Sequence, residues 1–156
     1  MNDQTANILF VCTGNICRSP FAEAMFTKLV LEKGYQNLFA ESGGLMALPG
    51  NSATALAQQV AAEQGVDLIH HQAKPVTEER VNGADLILVM EKSHEMTLLS
   101  FFPKATHKVR LIRHYARFGS KTRGIADPYG LNYDAYRFCF LDIEDAVKGL
   151  IEFLSE

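Results

Sequence analysis

Four short apolar runs, at residues 8–11, 38–40, 86–90 and 109–112, have the length of strands, and the stretches between them carry apolar residues at helical spacing. The first of those stretches, 20–33, has Ser19 as an N-cap, Pro20 at the first helical position and Gly34 as a stop. An alanine-rich stretch at 52–64 closes the same way on Gly65. A third helix is expected from about Ser93 to just before Pro103, and the last from Tyr133 or Asp134 to Leu154. Strand and helix alternate, and crossovers of this length join parallel strands. The pattern therefore predicts an α/β fold of three layers, a four-stranded parallel sheet with helices on both faces. Residues 118–131, with Gly119, Gly124, Pro128 and Gly130, read as the longest loop and lead into the last helix.

The chain has 156 residues, 47% of them hydrophobic, which suffices for one core and predicts a single domain over 1–156. A net charge of −3 offers no general attraction for nucleic acid or an anionic membrane. The charge is unevenly spread. Residues 107–123 carry Lys108, Arg110, Arg113, Arg117, Lys121 and Arg123 with no acid, whereas acids outnumber bases from Asp134 onward. Residues 1–6 are polar and lack the features of a secretory signal, and no apolar run is long enough to insert in a membrane. Three cysteines, Cys12, Cys17 and Cys139, make no disulfide framework, so a reduced cytoplasmic setting is expected.

The chemistry concentrates in VCTGNICRSP, residues 11–20. The first strand delivers Cys12 at its C-terminal end, where ligands of such sheets bind. The loop Thr13, Gly14, Asn15, Ile16, Cys17 can aim successive backbone N–H groups inward at the start of a helix, forming a phosphate loop after the first strand. Gly14 is expected to make the turn that the loop requires. Arg18 adds a planar fork able to take two phosphate oxygens, and the same donors favour thiolate over thiol at Cys12. A second glycine and a Lys-Ser/Thr pair are missing, which excludes the nucleotide-binding loop. Asp127, in ADPYG, is the best acid to protonate a leaving group. The five histidines are dispersed, without chelating spacing, so neither metal nor other cofactor is expected.

CTGNICRSP, with DPYG far downstream and with ESGGLMALPG and ADLILVMEKSH between them, resembles the low-molecular-weight protein tyrosine phosphatase family over almost the whole chain. The resemblance implies a phosphocysteine mechanism in which Cys12 attacks phosphorus, Arg18 binds the phosphoryl group with the loop from Thr13 to Ser19, and Asp127 acts as acid and then base. It also implies that Asn15 holds the loop in shape with Ser42 and His71, that Ser19 supports the thiolate, and that Cys17 can form a reversible disulfide with Cys12.

Some positions depart from the family pattern. Ser42-Gly43-Gly44 stands where most members read Ser-Ala-Gly, which should only loosen a turn. Leu48 replaces an aromatic residue and Gly130 a tyrosine, leaving Leu48 and Tyr129 as the expected walls for the substrate. This resembles the bacterial branch tied to capsule and exopolysaccharide export. The implied partner is a phosphotyrosine protein, a tyrosine autokinase among the candidates, and the implied enzyme is a cytoplasmic monomer with no nucleic-acid partner.

Three other chemistries compete. A thiol-dependent arsenate reductase on the same fold needs further cysteines near the third strand, and residues 84–102 have none. A phosphocysteine carrier of a sugar-transport relay needs no leaving-group acid, and a phosphotyrosine-binding module needs no nucleophile. For the basic stretch, Arg113, Arg117 and Arg123 are expected to rim the cleft and steer acidic phosphopeptides.

Overall fold

The structure, a computed structural model, describes residues 4–156; the polar start over 1–3 lies outside the described residues. Strands β1 (Ala6–Cys12), β2 (Leu38–Gly44), β3 (Leu86–Val89) and β4 (Val109–Leu111) form one parallel sheet in the order β2-β1-β3-β4. Helices α1 (Arg18–Glu32), α2 (Ala55–Glu63), α3 (Glu78–Gly83), α4 (Lys92–Phe101) and α5 (Tyr133–Leu154) complete the fold, with 3₁₀ turns at Pro103–Lys108 and Ile112–Tyr115. The predicted three-layer α/β architecture is the observed one.

Alternation along β1 explains the two faces. Ile8, Phe10 and Cys12 join a core with α1, α2 and α5, where the Phe21 and Phe140 rings stack at 4.1 Å. Leu9 and Val11 point the other way, onto Val81 of α3, Leu98 of α4 and the Ile87 and Val89 side chains of β3. The chain leaves β1 toward β2 on one side and then returns to β3 on the other, so the order in which strands are added reverses between β1 and β3. A crevice opens beyond the C-terminal ends of those two strands.

Several boundaries differ from the pattern. Helix α1 starts at Arg18 after Cys17, so Ser19 lies inside the helix and is no cap; its hydroxyl is engaged elsewhere. Helix α2 starts at Ala55 because the Thr54 side chain accepts from the Ala57 N–H at 3.2 Å, three residues beyond Ser52. Strand β2 runs on through Glu41-Ser42-Gly43-Gly44, paired residue for residue with β1, so the two glycines occupy a strand and not a turn. The short α3 and both 3₁₀ turns carry too few residues to show a period.

The uneven charge resolves into internal pairing. Arg113 is buried, donating to the carbonyls of Ser120 and Phe118 while Nη1 lies 3.3 Å from Asp142 of α5. Arg117 pairs with Asp145 at 2.9 Å and Arg123 with Asp142 at 3.4 Å. Lys108 instead donates to carbonyls at the C-terminal end of α3, on Val81 within it and Ala84 just after it. The expected steering role of Arg113 is thus corrected: its guanidinium folds the loop against α5, and Arg117 and Arg123 are matched by acids of that helix. Among the described residues, no helix is long and apolar enough to cross a membrane.

Candidate active site

Between β1 and α1 the loop 13–17 curls around a cavity of about 190 Å³, lined by Cys12, Thr13, Gly14, Ile16, Cys17, Arg18, Asp127 and Tyr129. The left-handed residue that turns the loop is Asn15, at φ 58°, and Gly14 has no positive φ, contrary to the expectation from sequence. Four contacts hold Asn15 in that conformation. Its Oδ1 accepts from the Lys74 N–H, its Nδ2 donates to Ser19 and Ser42 at 2.8 and 2.9 Å, and its carbonyl accepts from His71 Nε2 at 2.7 Å. Burial pushes the His71 pKa below its ordinary value. Ser42 donates its hydroxyl hydrogen bond to Glu23 at 2.5 Å, and Ser19, which already accepts from Asn15, has its own hydrogen free to donate to Cys12 Sγ at 2.9 Å. A hydroxyl aimed at sulfur stabilises a thiolate there.

Gly44 supports the loop from below. A Cβ at this position would lie 2.7 Å from the Thr13 carbonyl and 3.0 Å from the Asn15 nitrogen, so only glycine lets β2 approach this closely. The Leu45 and Met46 N–H groups bond the carbonyls of Cys12 and Thr13.

Arg18 is buried, and its nitrogens are unequally occupied. Nη1 donates to Glu91 and to the Ile125 carbonyl, both at 2.7 Å. Nη2 lies 3.5 Å from Asp127, and Nε has no partner at all. Burial opposes the charge, but Glu91, Cys12 and Asp127 outweigh it and raise the guanidinium above its ordinary pKa. A buried cation with an unmatched N–H beside a thiol is the mark of an anion site.

The carboxyl of Asp127 stands half-exposed at the cavity mouth, its Oδ1 accepting from the Tyr129 N–H at 3.0 Å around Pro128. Upstream, the Ile125 N–H bonds the Met90 carbonyl, which anchors this loop to the end of β3. Tyr129 lines the cavity, whereas Leu48 is 68% exposed on the loop after β2 and stands outside it; Ile16 adds a second apolar lining side chain. Cys17 turns its thiol toward Tyr136 at 3.3 Å and Thr54 at 3.7 Å, and burial raises its pKa. All three cysteines are free thiols, and Cys139 is buried on α5 with its pKa pushed up by that burial. Among the described residues, no group of three or more His, Cys, Asp or Glu side chains converges as a metal site would require.

The model of the low molecular weight phosphotyrosine protein phosphatase family matches residues 7–156. The chain belongs to this family. A protein-arginine-phosphatase of Bacillus subtilis (strain 168) is 35% identical, covering 96% of this chain and 97% of its own. The probable low molecular weight protein-tyrosine-phosphatase AmsI of Erwinia amylovora is 36% identical over the same shares. Among solved structures, Vibrio vulnificus Wzb in complex with benzylphosphonate superposes with a TM-score of 0.85 at 34% identity, covering 96% of this chain and 99% of that one.

In this phosphatase the structure gathers Cys12, the loop from Thr13 to Ser19, Ser42, His71, Asp127 and Tyr129 around one cleft, and leaves Leu48 out of its lining. Sequence reasoning passed over Glu23, Glu91 and His94. Glu91 and His94 lie directly after β3, where the strand order reverses, and that position was the available signal.

Proposed function

We propose that this phosphatase hydrolyses phosphotyrosine in proteins through a covalent phosphocysteine. The observation that carries the reading is Arg18, buried beside Cys12 with Nε unpartnered and Nη2 loosely held. Cys12 Sγ attacks phosphorus, the S–P bond forms as the ester O–P bond breaks, and Asp127 protonates the departing phenoxide. Water then attacks the phosphocysteine with Asp127 taking its proton, and phosphate leaves as Cys12 returns to thiolate. Arg18 and the loop amides supply the positive field for the charge on the equatorial oxygens. Cys17, one helical start away, is the reserve thiol that would cap an oxidised Cys12.

The arginine phosphatase among the relatives raises a second reading, cleavage of an N–P bond. Ile16 and Tyr129 offer apolar faces to an aromatic ring, and Asp127 is the one carboxylate among the residues that line the cavity, which supports the aryl ester. The resemblance to the bacterial capsule branch supports a tyrosine autokinase tail as the natural substrate of a monomeric cytoplasmic enzyme.

A substrate panel tests this. Phosphotyrosine peptides should turn over faster than phosphoarginine peptides, and Asp127→Ala should slow phosphotyrosine hydrolysis about a hundredfold or more while sparing esters with good leaving groups. Preference for phosphoarginine, or equal losses across the leaving-group series, would contradict the assignment. Cys12→Ser should abolish turnover yet still bind oxyanions.

A further inference from the structure

We propose that His94 is a positioning residue for the phosphoryl site, a neutral imidazole that locks the Thr13 hydroxyl so that its proton is available to the phosphoryl group in the cleft. The inference rests on the phosphocysteine reading above. The direction of each hydrogen bond follows from one fixed donor. The backbone N–H of Glu91 can only donate, and it lies 3.2 Å from His94 Nδ1, so Nδ1 is an acceptor. A neutral ring then carries its proton on Nε2, which lies 2.9 Å from Thr13 Oγ1. Oγ1 accepts that proton's bond, and its own hydrogen is directed elsewhere.

Thr13 is an exposed member of the loop and lines the cavity with Cys12 and Arg18. A hydroxyl whose oxygen already accepts a bond is polarised as a donor. The surroundings keep the ring neutral. Arg18 from α1 opposes its protonation, whereas Glu91 at the start of α4, with Oε2 at 3.7 Å from Nε2, and Asp127 from the loop before α5 favour it and are outweighed. Burial and the Arg18 charge together push His94 down to about 4. Capping α4 would employ Nδ1 alone. Placement of the second nitrogen on Thr13 is what ties α4 to the anion loop, in parallel with the Glu91–Arg18 pair.

A double-mutant cycle decides it, read as inhibition by inorganic phosphate and as kcat/KM on an aryl phosphate. Thr13→Val should weaken phosphate binding and lower kcat/KM by about tenfold, in the range expected for a hydrogen bond to a charged group. Thr13→Ser should restore both to within about threefold. His94→Ala should lose about as much as Thr13→Val, and the double variant should be no worse than the poorer single, because the ring acts through the hydroxyl. Nitrogen NMR of the unsubstituted protein near neutral pH should find the proton on Nε2.

Phosphate binding in Thr13→Val equal to that of the unsubstituted protein, losses that multiply in the double variant, or a proton on Nδ1 would each overturn the proposal. Thr13→Val leaves the α4 cap intact, so the test survives a His94→Ala protein that does not fold. Turnover persisting in Cys12→Ser would instead sink the phosphocysteine reading, a result separable from phosphate affinity at Thr13.

Discussion

Arg18 divides its guanidinium between structure and chemistry: one nitrogen is fixed by Glu91 and Ile125, Nη2 is loosely held by Asp127 and Nε has no partner. Lysine cannot reproduce that division, because a single ammonium has no planar fork. Arg18→Lys should therefore lower kcat/KM by about a hundredfold or more, while thermal unfolding shifts far less, since the ammonium can still reach Glu91. An equal collapse of stability and activity would show the residue to be structural first. Cys12, Arg18 and Asp127 were legible in the sequence because each belongs to a short motif whose chemistry is local. Glu91 and His94 were not, because their roles exist only once β3 docks beside β1 and brings α4 to the loop. Asn15 corrects a different habit, the assignment of every tight turn to the nearest glycine.

At the scale of elements, four strands and four of the five helices were readable as periodicities, and the misplaced boundaries share one cause: side chains or pairings outside the segment. Strand β2 continues through a polar, glycine-rich stretch because β1 offers it a backbone partner at every residue. Helix α5 illustrates a contact that no pattern displays. A Cβ on Gly149 would stand 1.8 Å from the Tyr115 carbonyl, so the helix lies against the 3₁₀ turn only because this residue has none. Gly149→Ala should destabilise the fold by about 1–3 kcal/mol despite its better helix propensity, seen as a lower denaturant midpoint. Unchanged or raised stability would mean that α5 and the turn separate freely.

For the whole molecule, pH acts through two neutral histidines, one buried and one half-buried. His94, held near 4, and His71, also lowered, are uncharged in the folded protein but take up protons when it unfolds, near the ordinary histidine value of about 6.5. Their contribution is thus complete above about pH 6.5 and is lost as the pH falls toward 4, with His94 accounting for on the order of 3 kcal/mol. Denaturant unfolding across this window should show the decline, and His94→Gln should flatten it; an equally steep decline in the variant would assign the loss to other groups. The basic stretch was plain in the sequence, but its meaning depended on where α5 would lie. With Arg113 and Arg123 sharing Asp142 and Arg117 paired to Asp145 and Glu152, phosphopeptide turnover should vary little with ionic strength beyond the effect on the phosphate itself.

The cradle around Asn15 is held by the protein's own bonds, from Asn15 to Ser19, Ser42, His71 and the Lys74 backbone. The last species of each cycle, a free tetrahedral anion, fits the same loop as the first, so departure competes with re-entry. Throughput in a cell would then follow how much free phosphate surrounds the enzyme as well as how much phosphorylated protein it meets.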